Sequence, residues 1–262
     1  MTKIPQPRLV FDRLRALGTS PALTWYGEHE RIELSGKVCM NHLAKTVNFL
    51  RDEISLEKGG EVIMDLPLHW KSLLWGAAAF SCGAKLRFLG CEEDFLDLTD
   101  EQAVNPTEDT VIISGSAAHL EELYDLNLPA VLLALNTESL EPAWNADLLG
   151  PLPGVGEIID AGAEVPSQPD LLTREPEDLS PAEESFTAAA RGGYDLPPEN
   201  ETNEAHGTLL VSAARLHRRT SLPFCLGFFL QTVSAGQRAV FADCGEAQVA
   251  RIAADENAQI LL

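Results

Sequence analysis

From Glu61 to Leu135 the chain alternates short apolar runs with helical patterns, and that rhythm narrows the fold more than any other feature. Val62–Leu66 is a mostly apolar run of strand length, the kind that is buried on both faces in a parallel sheet. Pro67 breaks it. Trp70 to Phe80 then reads as a helix, and Ala77, Ala78 and Ala79 are small enough to let it lie close on a sheet. Gly83 ends that helix and Ala84–Phe88 returns as a strand. Thr110–Ser114 and Ala130–Leu135 repeat the strand signal, with a helical Ala117–Leu126 between them. Strand and helix in this order predict an α/β fold with a largely parallel sheet flanked by helices.

The flanks follow the same logic. Pro7 to Leu17 reads as a short helix, and Ala22–Tyr26 with Arg31–Leu34 as a hairpin around Gly27. Ser35 is placed to cap a helix whose Leu43, Val47, Leu50 and Ile54 form one apolar face, stopped by Lys58-Gly59-Gly60. Between Glu157 and Glu204 thirteen acidic residues stand against Arg174 and Arg191, a charge of −11, among six prolines. Such a stretch buries little and is expected to be an exposed loop or linker, with one helix from Ser180 to about Arg191. Thr208–Ser212 reads as a strand, Ser221–Ala235 as a helix, Ala239–Ala242 as a strand and Glu246–Glu256 as a last helix. The expected domains are therefore residues 1–156, an acidic linker 157–204, and a second, incomplete α/β lobe 205–262.

The net charge of −21 argues against nucleic acid, whose sequence-independent affinity comes from clustered Lys and Arg, and against a polybasic membrane contact. Met1 to Arg15 mixes charges with prolines and does not read as a signal peptide. Leu222–Val233, the longest apolar run near the end, falls short of a membrane span of about 20 residues. The five cysteines are scattered, with no Cys-x-x-Cys pair, and suit reduced thiols in a cytoplasmic protein. The six histidines show no His-x-His or His-Glu-x-x-His spacing, so no metal site is expected.

Two segments are candidates for anion or ligand binding. Ser114-Gly115-Ser116 joins a strand to a helix, the place where backbone amides can cradle phosphate. Arg215, His217, Arg218 and Arg219 form the one basic cluster, just after the strand Leu209–Ser212, where paired guanidinium forks suit phosphate. The ordinary readings are a plain strand-to-helix turn for the first and a solvated turn neutralising nearby acid for the second. Asp65 and His69 are a third candidate, as an acid–base pair. Gly154-Val155-Gly156 begins like a dinucleotide fingerprint but has no third glycine and no clear preceding strand. The four tryptophans read as core rather than as a ligand cage.

Several of these segments carry a family resemblance. Pro21–Tyr26, Glu30–Ser35, the amphipathic helix, Gly59–Pro67 and the Ala-rich helix closing at Cys82-Gly83-Ala84 resemble, in order and spacing, the opening of the adenylate-forming superfamily of acyl-CoA synthetases, peptide-synthetase adenylation domains and luciferases. Leu209 to Leu262 resembles a later stretch of the same domain. More closely, the chain is similar to short actinobacterial proteins that keep only the front of the AMP-binding domain. The resemblance implies a truncated, acetyl-CoA synthetase-like N-terminal region. The family's phosphate loop, Thr-Ser-Gly-(Thr/Ser)-Thr-Gly-x-Pro-Lys, does not occur in the sequence, nor do its Tyr-Gly-x-Thr-Glu and Thr-Gly-Asp motifs or the domain bearing its lysine. Adenylation depends on such donors to stabilise a negatively charged phosphorane. No family catalytic residue carries over, no cofactor is expected, and no motif supports binding of ATP, AMP or CoA.

The expectation is a non-catalytic remnant that binds a ligand or a protein. The alternative is one half of a split acyl-CoA synthetase or adenylating ligase completed by a partner chain. The helix Ser221–Ala235, apolar nearly all round, needs cover on several sides. Either it or the strand Ala239–Ala242 is expected near a homodimer or protein-partner contact, unless Met1–Leu17 or the acidic segment folds back as a lid.

Overall fold

Buried β-branched and leucine-rich runs pair side by side only when helices can cover both faces, and the chain does this twice. The computed structural model describes residues 5–27, 30–89, 106–154, 156–176, 207–216 and 218–261, with the side chains of Arg215 and of 218–220 left out. The chain divides into two compact units: Met1–Leu43 with Pro176–Leu262, and Ala44–Glu175.

The first unit holds α1 (Pro7–Leu17), β1 (Pro21–Tyr26), β2 (Arg31–Ser35), the start of α2 (Gly36–Asn48), β8 (Thr208–Ser212), α7 (Arg218–Ser234), β9 (Arg238–Ala242), α8 (Glu246–Asp255) and β10 (Gln259–Ile260). Its sheet order is β10-β8-β9-β1-β2. β1 runs parallel to β9 and antiparallel to β2. Ser35 caps α2, its Oγ accepting from the Val38 amide at 3.3 Å. Leu222, Phe224, Leu226, Phe228, Phe229, Leu230 and Val233 of α7 are all buried, and α1 lies against this helix. The apolar helix expected at a subunit contact is thus covered within its own unit, by the segment that could fold back over it.

The second unit holds the rest of α2 and a π-turn at Phe49–Glu53, then β3 (Glu61–Asp65), α3 (Trp70–Ser81), β4 (Lys85–Phe88), β5 (Thr110–Ser114), α4 (Ala117–Asp125), β6 (Ala130–Ala134), α5 (Ala146–Leu149), β7 (Ile159–Asp160) and α6 (Ala161–Glu164). The sheet is wholly parallel, in the order β4-β3-β5-β6-β7. Ile63, Ile112, Leu132 and Ala134 on one face pack with Leu120 and Leu123 of α4.

The division differs from the linear reading in two places. Residues 1–43 join the later part of the chain because β1 finds its parallel partner in β9, far away in sequence. The acidic window also begins as packed structure. Ile158, Ala161 and Val165 are buried. The following strap is tied to α2 and the π-turn: Lys45 Nζ donates to the Pro166 carbonyl at 2.9 Å, and Asn48 Nδ2 to those of Pro169 (3.2 Å) and Leu171 (2.9 Å). Arg174 pairs with Asp52 at 3.1 Å. Charge and proline content hid this, because the strap is held by its backbone carbonyls rather than by apolar side chains. The helix expected from Ser180 lies outside the described residues.

Candidate functional site

Counted from β3, the strand order of the second unit is 2-1-3-4-5, the doubly wound arrangement whose ligand crevice lies at the carboxyl ends of its first and third strands. Those strands are β3 and β5. Their parallel register pairs Asp65 with Ser114 as the last residues of each. Side chains alternate along a strand, so Asp65 and Ser114 face the same way as Ile63 and Ile112, toward α4. His119 lies one position before Leu120 and four before Leu123 on that helix, so it meets Asp65 at the sheet edge.

The result is a compact polar cluster. Ser114 Oγ donates to Asp65 Oδ2 at 2.5 Å, and His119 Nδ1 lies 2.8 Å from the same oxygen. The Asp65 side chain is 2% exposed and that of His119 is 23% exposed. A buried carboxylate acts as acceptor, so it is an Nδ1 hydrogen of the ring that points at Asp65.

Asp65 therefore pairs with His119, not with His69. His69 is buried, and its Nδ1 caps α3 by accepting from the Lys71 amide at 3.3 Å. Burial, and then the Lys71 charge, push its pKa down to about 3. Six histidines offered no spacing that singled out His119. The signal was topological: it stands three residues past Ser116 on the helix that follows the switch-point strand.

Ser114, Gly115 and Ser116 form the turn from β5 to α4, and the amides of Gly115 and Ser116 look inward. Gly115 N–H donates to the Asp65 carbonyl at 3.2 Å and Ser116 N–H to Ser114 Oγ at 3.1 Å. His119 N–H donates to Ser116 Oγ at 3.3 Å, making Ser116 the N-cap of α4. A Cβ on Gly115 would stand 3.1 Å from Thr137 Oγ1, so the turn passes close to the loop after β6. Gly154 and Gly156 precede a strand instead of following one, so they form no dinucleotide turn.

In the first unit, β8 ends at Ser212 and one 3-10 turn, Ala213–Arg215, leads to α7, which starts at Arg218. Ser212 is fully buried and its hydroxyl has no hydrogen-bond partner among the described residues. The side chains of Arg215, Arg218 and Arg219, and all of His217, lie outside the described residues. Trp25 and Trp75 are core residues, and Trp144 Nε1 donates to the Gly150 carbonyl at 2.8 Å. The four described cysteines are free; burial raises the thiols of Cys39 and Cys82 to about 12. Among the described residues no group of three His, Cys, Asp or Glu is placed to hold a metal ion, and no helix is long and apolar enough to cross a membrane.

Solved structures similar to this chain include parts of the adenylation protein NpsA. The N-terminal subdomain of NpsA from Klebsiella oxytoca superposes with a TM-score of 0.57 at 11% identity, covering 100% of this chain and 62% of its own. VinN in complex with L-aspartate gives 0.60 at 14% identity, covering 98% and 67%. The NpsA subdomain in complex with 3-hydroxybenzoyl-AMSN gives 0.59 at 11%, covering 100% and 60%. The chain therefore has the α/β fold of the N-terminal subdomain of adenylate-forming enzymes, and it spans about three-fifths of the NpsA subdomain's length. A TIGR03089 family protein of Mycobacterium tuberculosis (strain ATCC 25618 / H37Rv) is 43% identical over 61 residues, which are 22% of this chain and 25% of that protein. No family model matches the chain.

Proposed function

We propose that this chain is a ligand-binding module built on the adenylation fold, and that it does not form adenylates itself. The observation that carries the reading is the fate of the Ser114-Gly115-Ser116 amides. The one turn with the core of a phosphate loop spends the Gly115 N–H on the Asp65 carbonyl and the Ser116 N–H on Ser114 Oγ, and no other segment supplies the loop's Thr-Gly-x-Pro-Lys. The ligand is an anion held after β8. Arg218 and Arg219 stand in the first turn of a 17-residue helix, where the macrodipole disfavours cations unless an anion lies between them and the helix end. The orphaned hydroxyl of Ser212 ends the strand that leads there. NpsA with an acyl-AMSN and VinN with L-aspartate make carboxylate or phosphate-like ligands the class to try first. A protein partner or second copy belongs to the same reading, docking elsewhere than on the covered α7.

The test has two parts. ATP–pyrophosphate exchange is measured with a panel of carboxylic acids, and none is expected; protein-dependent exchange would overturn the reading. Thermal shift is measured with ATP, AMP, CoA and L-aspartate. Specific binding at a hundredfold excess over Kd stabilises by about 2.7 kcal/mol, and R218E/R219E is expected to remove the shift.

A further inference from the structure

We propose that the loop between β6 and β7 is a docking surface for a second protein, one that presents an apolar pocket rimmed by Lys and Arg. The proposal rests on the protein-binding part of the function above and uses no residue of its anion site.

The loop is held from the inside. Lys71 Nζ donates to the carbonyls of Asn136, Ser139 and Glu141, and Asn136 Nδ2 to those of Glu141 and Ala143. Trp144 is fixed twice, its backbone N–H on Asp160 and its indole on the Gly150 carbonyl. Asn145 then ties the two halves of the loop together. Its Nδ2 donates to Glu141 Oε2 at 3.0 Å, and its Oδ1 accepts from the amides of Asp147 and Leu148 at 3.1 Å.

Against this frame Leu140 is 63% exposed and Leu148 57%. A single exposed leucine needs no explanation. These two stand on either side of one hydrogen-bonded frame that keeps them in water. The backbone is already ordered in the free chain, so docking on it costs little further conformational entropy, as suits anchoring side chains.

Charge identifies the occupant. From Leu120 to Thr173 the chain carries ten acidic residues and no Lys, Arg or His. Glu121, Glu122 and Asp125 on α4 and Glu138, Glu141 and Asp147 in the loop are all exposed. The two groups belong to one surface, because the loop lies along α4: a Cβ on Gly150 would stand 3.8 Å from that of Ala117. A face of one sign repels nucleic acid, anionic membrane and a second copy of itself. It steers a basic surface onto the leucines, which supply the apolar contact.

The experiment is an NMR titration of the 15N-labelled full chain with a short amphipathic helical peptide of leucine and lysine. Saturable shifts are expected, concentrated between Glu138 and Leu149. L140S/L148S removes only exposed side chains, so its melting temperature should match the parent's, while the peptide binds at least about tenfold more weakly. E138Q/D147N is expected to weaken binding and flatten its salt dependence. Shifts spread evenly over the acidic surface, undiminished binding by L140S/L148S, or equal binding of a serine–lysine peptide would each overturn the proposal. So would self-association in light scattering that L140S/L148S abolishes, since the occupant would then be a second copy. These readouts are separate from pyrophosphate exchange and from the R218E/R219E thermal shift, so the anion reading can fail without this one, and this one without it.

Discussion

Lys71 Nζ donates to the carbonyl oxygen of Asn136 at 2.8 Å, joining a buried cation on α3 to the residue around which the loop after β6 is wound. The same ammonium donates to the carbonyls of Ser139 (2.7 Å) and Glu141 (2.8 Å). Asn136 works on the same loop, its Nδ2 donating to Ser139 Oγ (2.8 Å) and the Ala143 carbonyl (2.9 Å), its Oδ1 accepting from the amides of Glu138 and Ser139. Lys71 is 4% exposed, so all three of its protons find protein oxygen. K71M should lower stability by about 3 kcal/mol or more, since it removes charge-assisted bonds and strands three carbonyls. Urea denaturation measures it; a loss under about 1 kcal/mol would mean that water replaces the ammonium.

Gly162 is set by contact rather than by backbone angle. A Cβ there would stand 1.6 Å from the Pro142 carbonyl oxygen, and backbone cannot rotate away as a side chain can. The neighbouring Asp160 holds both strands of this corner, accepting from Trp144 N at 2.8 Å and Ala163 N at 3.1 Å. G162A is therefore expected to destabilise by about 1–3 kcal/mol, the usual cost of overpacking. A melting temperature equal to the parent's would show that the corner opens freely.

His69 predicts a pH dependence. Its folded pKa, about 3, lies below the ordinary 6.5, so between those values the unfolded chain takes up a proton that the folded chain refuses. The stability linked to His69 is full above pH 6.5 and falls as the pH drops toward 3, at up to about 1.4 kcal/mol per unit. H69N keeps an N-cap acceptor while removing the titration. Denaturation curves at several pH values should show a shallower acid slope for H69N; superimposable slopes would refute the assignment.

Glu256 governs a lower window. Burial raises its pKa, but hydrogen bonds from Tyr26, Arg31 and Arg238 outweigh burial and leave it below the ordinary 4.5. Tyr26 is raised in turn, by burial and by Glu256. A depressed carboxyl contributes stability that is present above its unfolded pKa and lost as the pH falls through the folded one. E256Q should therefore cost stability at neutral pH and lose less than the parent on acidification below about 4.5. Acid titrations of the two, followed by circular dichroism, decide it.

Much of the local structure was legible in the residues. Thr110–Ser114 and Thr208–Ser212 are strands as read, and the helix read from Trp70 to Phe80 extends by one residue to Ser81. Apolar period, proline and glycine act over a few neighbouring residues, so they survive in any fold that buries those runs. The Ser114–Ser116 turn was legible for the same reason, but the direction of its amides was not, because that depends on what stands opposite.

Sequence alone thus determined the α/β class, the adenylation-like opening and the order of the longer elements, though not the short α5, β7, α6 and β10. Tertiary structure decided the partnerships. Asp65 has His69 four residues away, yet it pairs with His119, because β5 lies beside β3 in parallel register and α4 folds back over that face. β1 keeps its sequence neighbour β2 on one edge and takes the distant β9 on the other, because a strand's open edge is satisfied only by another strand, wherever the chain supplies one. Pattern within a segment reports what that segment buries. Which segment covers it is a property of the whole chain, since backbone pairing and side-chain packing are satisfied between elements rather than within them.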